Sequence, residues 1–188
     1  MQNVRVFFEK TGMTKYISHL DLMRCMTRAI KRAAIPAWYT EGFNPHLFIT
    51  FALPLTLGVE SLCESMDIRL TEEMGFEEVK NRLNVNLPDG IRITNVAVPV
   101  YKANDIAFAE YKITFHTRKN EKIKNEIEEK LLGDELLAEK MGKQGKRKVL
   151  KTINLKEFVN SYSVISLNDK TVLTAVLTAC LLYTSPSP

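Results

Sequence analysis

Apolar residues in the first hundred positions switch repeatedly between a period of two and a helical period, and the order of the switches leaves few folds open. Val4, Val6 and Phe8 alternate with Arg5, Phe7 and Glu9 as a strand does, and Thr11-Gly12 then turns the chain. Ser18 followed by Asp21 has the form of a capping box, which places a helix start near His19. Leu20, Met23, Met26, Ile30 and Ala33 recur at helical spacing as the expected buried stripe, with Asp21, Arg24, Arg28 and Lys31 opposite. Ile35-Pro36 ends that helix, because the residue before proline avoids the helical region. Phe48 to Leu53 reads as a second strand, and Met66, Ile68 and Leu70 alternate with Asp67 and Arg69 as a third. Phe76, Val79 and Leu83 mark another helix, closed by the turn Leu87-Pro88-Asp89-Gly90, and Ile91 and Ile93 begin a further strand. This order predicts a ferredoxin-like βαββαβ unit over residues 1–100.

Residues 106–179 predict a second, less regular unit of the same kind. Tyr111, Ile113 and Phe115 alternate as a strand, and Ile123, Ile127 and Leu131 stripe a helix that Asn120 is placed to cap. Leu136–Met141 and Lys148–Ile153 flank Gly142-Lys143-Gln144-Gly145 as a hairpin. Leu155–Val159 reads as a short link before two strands, Tyr162–Leu167 and Thr171–Ala179, joined at Asn168-Asp169-Lys170. The expected class is therefore α+β, two tandem ferredoxin-like units, the second irregular and truncated at its C-terminus. Residues 180–188, CLLYTSPSP, read as translated sequencing-adapter sequence, so the native chain is expected to be represented only to about Ala179.

A chain of 188 residues with 45% apolar and 26% charged residues has the make-up of a globular protein with a real core. It shows no bilayer-length apolar run and opens on a strand rather than a signal sequence, so the expectation is a cytoplasmic protein without a membrane partner. Cys25, Cys63 and Cys180 have neither disulfide-framework nor metal-ligand spacing, and no metal site is expected. The net charge of +4 is unevenly placed: residues 1–50 carry seven Lys/Arg against three Asp/Glu, and residues 51–100 carry four against eight. A polarised charge of this kind fits a basic surface that meets phosphate. Walker, Rossmann, nucleophile-elbow and HExxH motifs do not occur.

The densest stretch is Tyr16–Leu70, with YISHLDLMRCMTRAIKRAAIP, YTEGFNPHLFITFALPLTLGVES and ESMDIRL. These residues resemble the radical SAM-linked protein family, a bacterial domain of unknown function found beside, or fused to, radical-SAM enzymes. The resemblance covers most of the chain and is specific in its first third. It implies a radical-SAM protein as partner. The iron–sulfur cluster and S-adenosylmethionine are expected only in that partner, since this chain lacks the three closely spaced cysteines that hold such a cluster and carries no cofactor of its own. Family members usually continue the motif after the histidine with Pro-Lys, where this chain has Leu47 and Phe48, which removes one phosphate contact.

Basic and aromatic residues carry the functional expectation. Arg24, Arg28 and Lys31 give the first helix a cationic side suited to phosphates, although a solvated helix face looks the same. Lys146, Arg147 and Lys148 belong to a basic run from Lys140 to Lys151 without an intervening acid, which serves either a polyanion or the protection of a sheet edge. Tyr39, Phe43, Asn44 and His46 form a turn-rich loop whose rings suit stacking on an unpaired base, or whose Phe43 serves the core. His19 and His46 are the weak acid–base candidates, and the favoured alternative makes His19 a local hydrogen-bonding residue in the first turn of its helix and His46 the end of a turn. The expected function is an accessory RNA-binding domain without catalysis of its own, presenting a structured RNA (tRNA or rRNA) to a radical-SAM modification enzyme. The alternatives are a metal-independent RNA-processing or RNA-modifying enzyme using His19 and His46, and a protein-interaction module for the radical-SAM partner.

Overall fold

The computed structural model describes residues 1–117, 119–144 and 147–179. These form two units, one over residues 1–106 and one over residues 107–179. No helix among them is long and apolar enough to cross a membrane. The first unit runs β1 (Gln2–Lys10), α1 (His19–Arg32), β2 (Ile49–Phe51), β3 (Ser61–Leu70), α2 (Phe76–Asn86) and β4 (Ile91–Ala97). Its sheet has the order β2-β3-β1-β4 with every neighbouring pair antiparallel. The expected order of elements over residues 1–100 is therefore present, although β2 is only three residues long.

Alternation decides which face of the sheet is covered. Val4 lies opposite Ile68, Val6 opposite both Met66 and Val96, and Phe8 opposite Ile93, so these side chains share one face. All of them are buried, and α1 and α2 cover them through Leu22, Met26, Ala29, Ile30, Val79 and Leu83. The stripe expected on α1 is corrected here. Leu20 is 43% exposed, and Leu22 and Ala29 take its place with Met26, Ile30 and Ala33. The buried arc is centred on the side of the helix that meets the sheet, and Leu20 lies well round the cylinder from it. Helix α1 opens at Ser18, whose Oγ accepts from the Asp21 amide at 3.2 Å, while the Asp21 carboxylate returns to the Ser18 hydroxyl at 2.7 Å. The opposite face of the sheet is polar, with Arg5 donating from two nitrogens to Asp67 at 2.7 and 2.8 Å and Arg92 pairing with Glu9 at 2.8 Å.

The turn before β4 is held tightly. Gly90 has φ +88, and its carbonyl accepts from the Thr11 amide at 2.8 Å and from the Thr14 hydroxyl at 3.0 Å. A Cβ at this position would stand 2.6 Å from the Thr11 carbonyl oxygen.

The second unit runs β5 (Phe108–His116), α3 (Asn120–Leu132), β6 (Leu137–Gln144), β7 (Arg147–Asn154), β8 (Val159–Leu167) and β9 (Lys170–Thr178). It differs from the expected repeat in two respects. Strands β6 and β7 form a separate two-stranded sheet, while β5, β9 and β8 form a three-stranded antiparallel sheet in that order. The position of a second helix is taken by a four-residue 3-10 turn, Leu155–Phe158, too short to bury a stripe. The hairpin ladder also runs further than expected. Lys143 pairs with Lys148 and Gln144 with Arg147, so Gly142–Gln144 are strand rather than turn. Asn120 does not cap its helix. It is buried and donates to the Leu167 carbonyl at 2.8 Å, while its own carbonyl accepts from Thr171 at 3.0 Å, which ties α3 to β8 and β9. Residues 180–188, the segment read as adapter-derived, lie outside the described residues.

Two substitutions test this packing. Ile68→Ala, in the centre of the core, lowers stability by about 2–5 kcal/mol in urea titrations. Gly90→Ala costs about 1–3 kcal/mol through backbone strain and the clash with Thr11, and a wild-type transition for it would contradict the close approach described.

Candidate nucleic-acid interface

Because one side of α1 is buried, the other carries its charges into solvent. Arg24, Arg28, Lys31 and Arg32 are all exposed. The chain then leaves α1 through Ala34, in the left-handed region at φ +50, and Ala37 bridges to Leu70 at the end of β3. Tyr39 and Leu47 form a second bridge that closes a loop. Thr40 staples its base: the Thr40 amide donates to the His46 carbonyl at 2.8 Å, and the His46 amide to Thr40 Oγ1 at 3.1 Å. His46 Nδ1 lies 2.9 Å from Thr40 Oγ1 and 3.2 Å from the Asn44 carbonyl oxygen. Gly42, at φ +124, turns the tip, and Phe43 stands there fully exposed. The reading of Phe43 as a core residue is thereby corrected, because a loop closed by polar hydrogen bonds at its base holds its tip away from the sheet.

This loop and α1 enclose a groove of ≈ 460 Å³ lined by Met23, Arg24, Thr27, Arg28, Lys31, Tyr39, Pro45, His46 and Leu47. Five of the residues singled out in the sequence, Arg24, Arg28, Lys31, Tyr39 and His46, therefore share one groove. Lys31 Nζ sits 5.5 Å from the centroid of the Tyr39 ring. Phe43 and Asn44 lie on the loop between Tyr39 and His46 rather than in the groove wall. Asp21 pairs with Arg24 at 3.0 Å, and the Ser18 hydroxyl, then Arg24, hold its carboxyl below the ordinary aspartate value.

His19 is not part of this groove. Its ring packs edge-on against Phe51, with centroids 5.0 Å apart, and Phe51 in turn meets Phe8 at 6.1 Å. His19 Nδ1 is buried without a hydrogen-bond partner among the described residues. Lys10 is 1% exposed, and its ammonium donates to the carbonyls of Ile17 at 3.3 Å and Lys15 at 3.5 Å. Burial, and then the charge of Lys10, push His19 below the ordinary histidine value, and burial likewise lowers Lys10. Burial raises the half-buried Glu64 carboxyl against a hydrogen bond from Ser61 and the charge of Lys10. Sequence reasoning did not anticipate this Lys10–His19–Glu64 cluster, since only the β1–β3 register brings Phe8 opposite Glu64.

The remaining residues singled out belong to the second unit. Lys146 lies outside the described residues. Arg147 and Lys148 are placed on β7 at register positions opposite Gln144 and Lys143. Sequence reasoning also missed Thr40, and the aromatic cluster in which Arg69 stands 5.1 Å from the rings of both Trp38 and Phe48. The lone tryptophan beside a two-ring loop was the available signal. Among the described residues no group of three or more His, Cys, Asp or Glu side chains is arranged to hold a metal ion.

The titration of His19 gives a direct check. In the folded chain it titrates below its ordinary value of 6.5, and NMR of the ring protons reads this shift. A lowered folded value means that the unfolded chain binds the proton first. Stability from this group is complete above pH 6.5 and falls as the pH drops through the folded value, and His19→Phe flattens that part of the profile.

No curated protein matches the chain. A family model described as "Uncharacterized protein conserved in bacteria (DUF2344)" matches residues 3–184, and the chain, with its basic helix and stapled aromatic loop, belongs to that bacterial family.

Proposed function

We propose that this protein is an accessory RNA-binding domain that presents a structured RNA, a tRNA or rRNA, to a radical-SAM modification enzyme. The observation that carries the RNA-binding part is the groove between α1 and the 39–47 loop. Cations stand on its helical wall, and a tyrosine ring and an imidazole stand on the other. Backbone phosphates pair with the arginines and Lys31, and an unstacked base lies against Tyr39. Phe43, held at the tip of a stapled loop, offers a second stacking surface. Arg147 and Lys148 contribute further phosphate contacts from the second unit.

The radical-SAM partner is proposed on the resemblance of the SHLD segment, Ser18–Asp21, and the GFNPH segment, Gly42–His46, to the radical SAM-linked family. The cluster and S-adenosylmethionine belong to that partner. The ferredoxin-like description is likewise a proposal. The strand order of the first unit supports it, whereas the separate β5-β9-β8 and β6-β7 sheets of the second unit depart from it. A catalytic role for the histidine pair draws no support from the groove, which His46 lines and His19 does not.

The test is binding of the full chain to cellular RNA across a salt series, with sequencing of what is retained. Selective, salt-sensitive retention of one RNA class is the expected result, and no retention at low salt overturns the reading. Lys31→Gln weakens binding to all RNAs and lowers the salt slope by about one, as the loss of one phosphate contact requires. Tyr39→Ala costs about 1–3 kcal/mol of binding and leaves the slope unchanged.

A further inference from the structure

Helix α1 has a groove on each side. The second, of ≈ 710 Å³, is lined by Asp21, Arg24, Cys25, Arg28, Arg32, Val85, Asn86, Leu87 and Pro88, so its far wall is the end of α2 and the turn that follows. Arg24 and Arg28 line both grooves and form the ridge between them. Arg24, Arg28 and Arg32 stand four residues apart along the helix, a rise of about 6 Å from each to the next. Such a row of like charges disfavours the helix unless something anionic lies along it.

The three arginines are not equivalent. Arg24 pairs with Asp21 at 3.0 Å, and Arg32 donates to the Asn86 carbonyl at 2.6 Å, closing the end of α2. Arg28, between them, has no hydrogen bond or ion pair among the described residues and faces both grooves. The second groove also has an apolar side. Val85 is 85% exposed in the last turn of α2, and Leu87 and Pro88 follow it. Burial pushes the Cys25 thiol above its ordinary value against the opposing charges of Arg32 and Arg28, so the groove presents a neutral thiol to an anion.

Two grooves, each with an apolar side, joined by a cationic ridge fit a nucleic-acid strand whose bases are free to turn to either side of its backbone. We infer that the ligand is an unpaired RNA segment crossing α1: one base against Tyr39, a phosphate on Arg28, and the neighbouring nucleotide against Val85, Leu87 and Pro88. This rests on the RNA-binding reading and narrows it to a loop, bulge or single-stranded end. A duplex keeps its bases paired inside and cannot place them in grooves on opposite sides of one helix. A mononucleotide fills only one groove.

The experiment is fluorescence anisotropy of the full chain with three probes: a labelled mononucleotide, a short single-stranded oligoribonucleotide, and the same oligoribonucleotide annealed to its complement. The single strand is expected to bind about tenfold more tightly than either other probe. Val85→Glu puts a carboxylate in the second groove alone at a solvent-exposed position, and thermal melting confirms that it folds. It is expected to weaken the single strand about tenfold and the mononucleotide much less, whereas Arg28→Gln weakens both. Undiminished binding of the single strand by Val85→Glu, with Tyr39→Ala and Arg28→Gln impaired, overturns the second groove and leaves RNA binding standing. Equal affinity for single strand and duplex overturns the requirement for unpaired RNA. Failure of the wild-type chain to bind any probe at low salt overturns this inference together with the reading on which it rests.

Discussion

The burial of α1 on the sheet governs much of the first unit. Leu22, Met26, Ala29, Ile30 and Ala33 enter the same core as Val4, Val6, Phe8, Met66, Ile68 and Leu70. Apolar burial of this kind, at roughly 1.5–3 kcal/mol per large side chain, far outweighs any preference of the surface charges. Once that arc is buried, the helix has no rotational freedom left. Arg24, Arg28, Lys31 and Arg32 are carried to the outside because they share a cylinder with the buried residues, and the two grooves follow from what flanks the helix there.

A second constraint is that polar groups at the mouth of the core are incompletely matched. Lys10 is buried with two long contacts to carbonyl oxygens, and His19 Nδ1 has no hydrogen-bond partner among the described residues. Leaving buried polar atoms short of hydrogen bonds costs more than a typical bond contributes. The cost is moderated by titration, since burial favours the neutral imidazole and the neutral carboxylic acid of Glu64. The cluster lies where α1 begins and β1 ends, next to the cap that sets the helix start. Its effect is therefore on the placement of α1, which forms one wall of the solvent-facing groove.

The loop at residues 39–47 shows how a small number of local bonds produces an exposed aromatic. Thr40 and His46 close its base, Gly42 takes a conformation that other residues rarely adopt, and Phe43 is left outside any core. A side chain of that size contributes no burial energy at such a position. The polar β-sheet face makes a contrast: there Arg5–Asp67 and Arg92–Glu9 are satisfied within the fold and offer little to a ligand.

The sequence by itself determined the order of elements in the first unit, the position of the Ser18 cap, the turn at Gly90 and the identity of the cationic side of α1. Each is a local property, set by side-chain period, capping chemistry or backbone freedom within a few residues. The phase of the α1 stripe was misjudged at Leu20, because five apolar residues at near-helical spacing fit more than one rotation and only the sheet selects between them. The tertiary structure alone decided that Tyr39 and His46 close a groove with Arg24, Arg28 and Lys31, and that His19 stands apart from it. It alone brought Val85–Pro88 to the other side of the same arginines, across more than fifty residues of intervening chain. In the second unit the ladder of β6 with β7 extends through Gly142–Gln144, where a turn was expected, since consecutive paired hydrogen bonds outweigh one residue's turn preference. Periodicity reports which side of an element is buried, and the packing of distant elements decides what the exposed side faces.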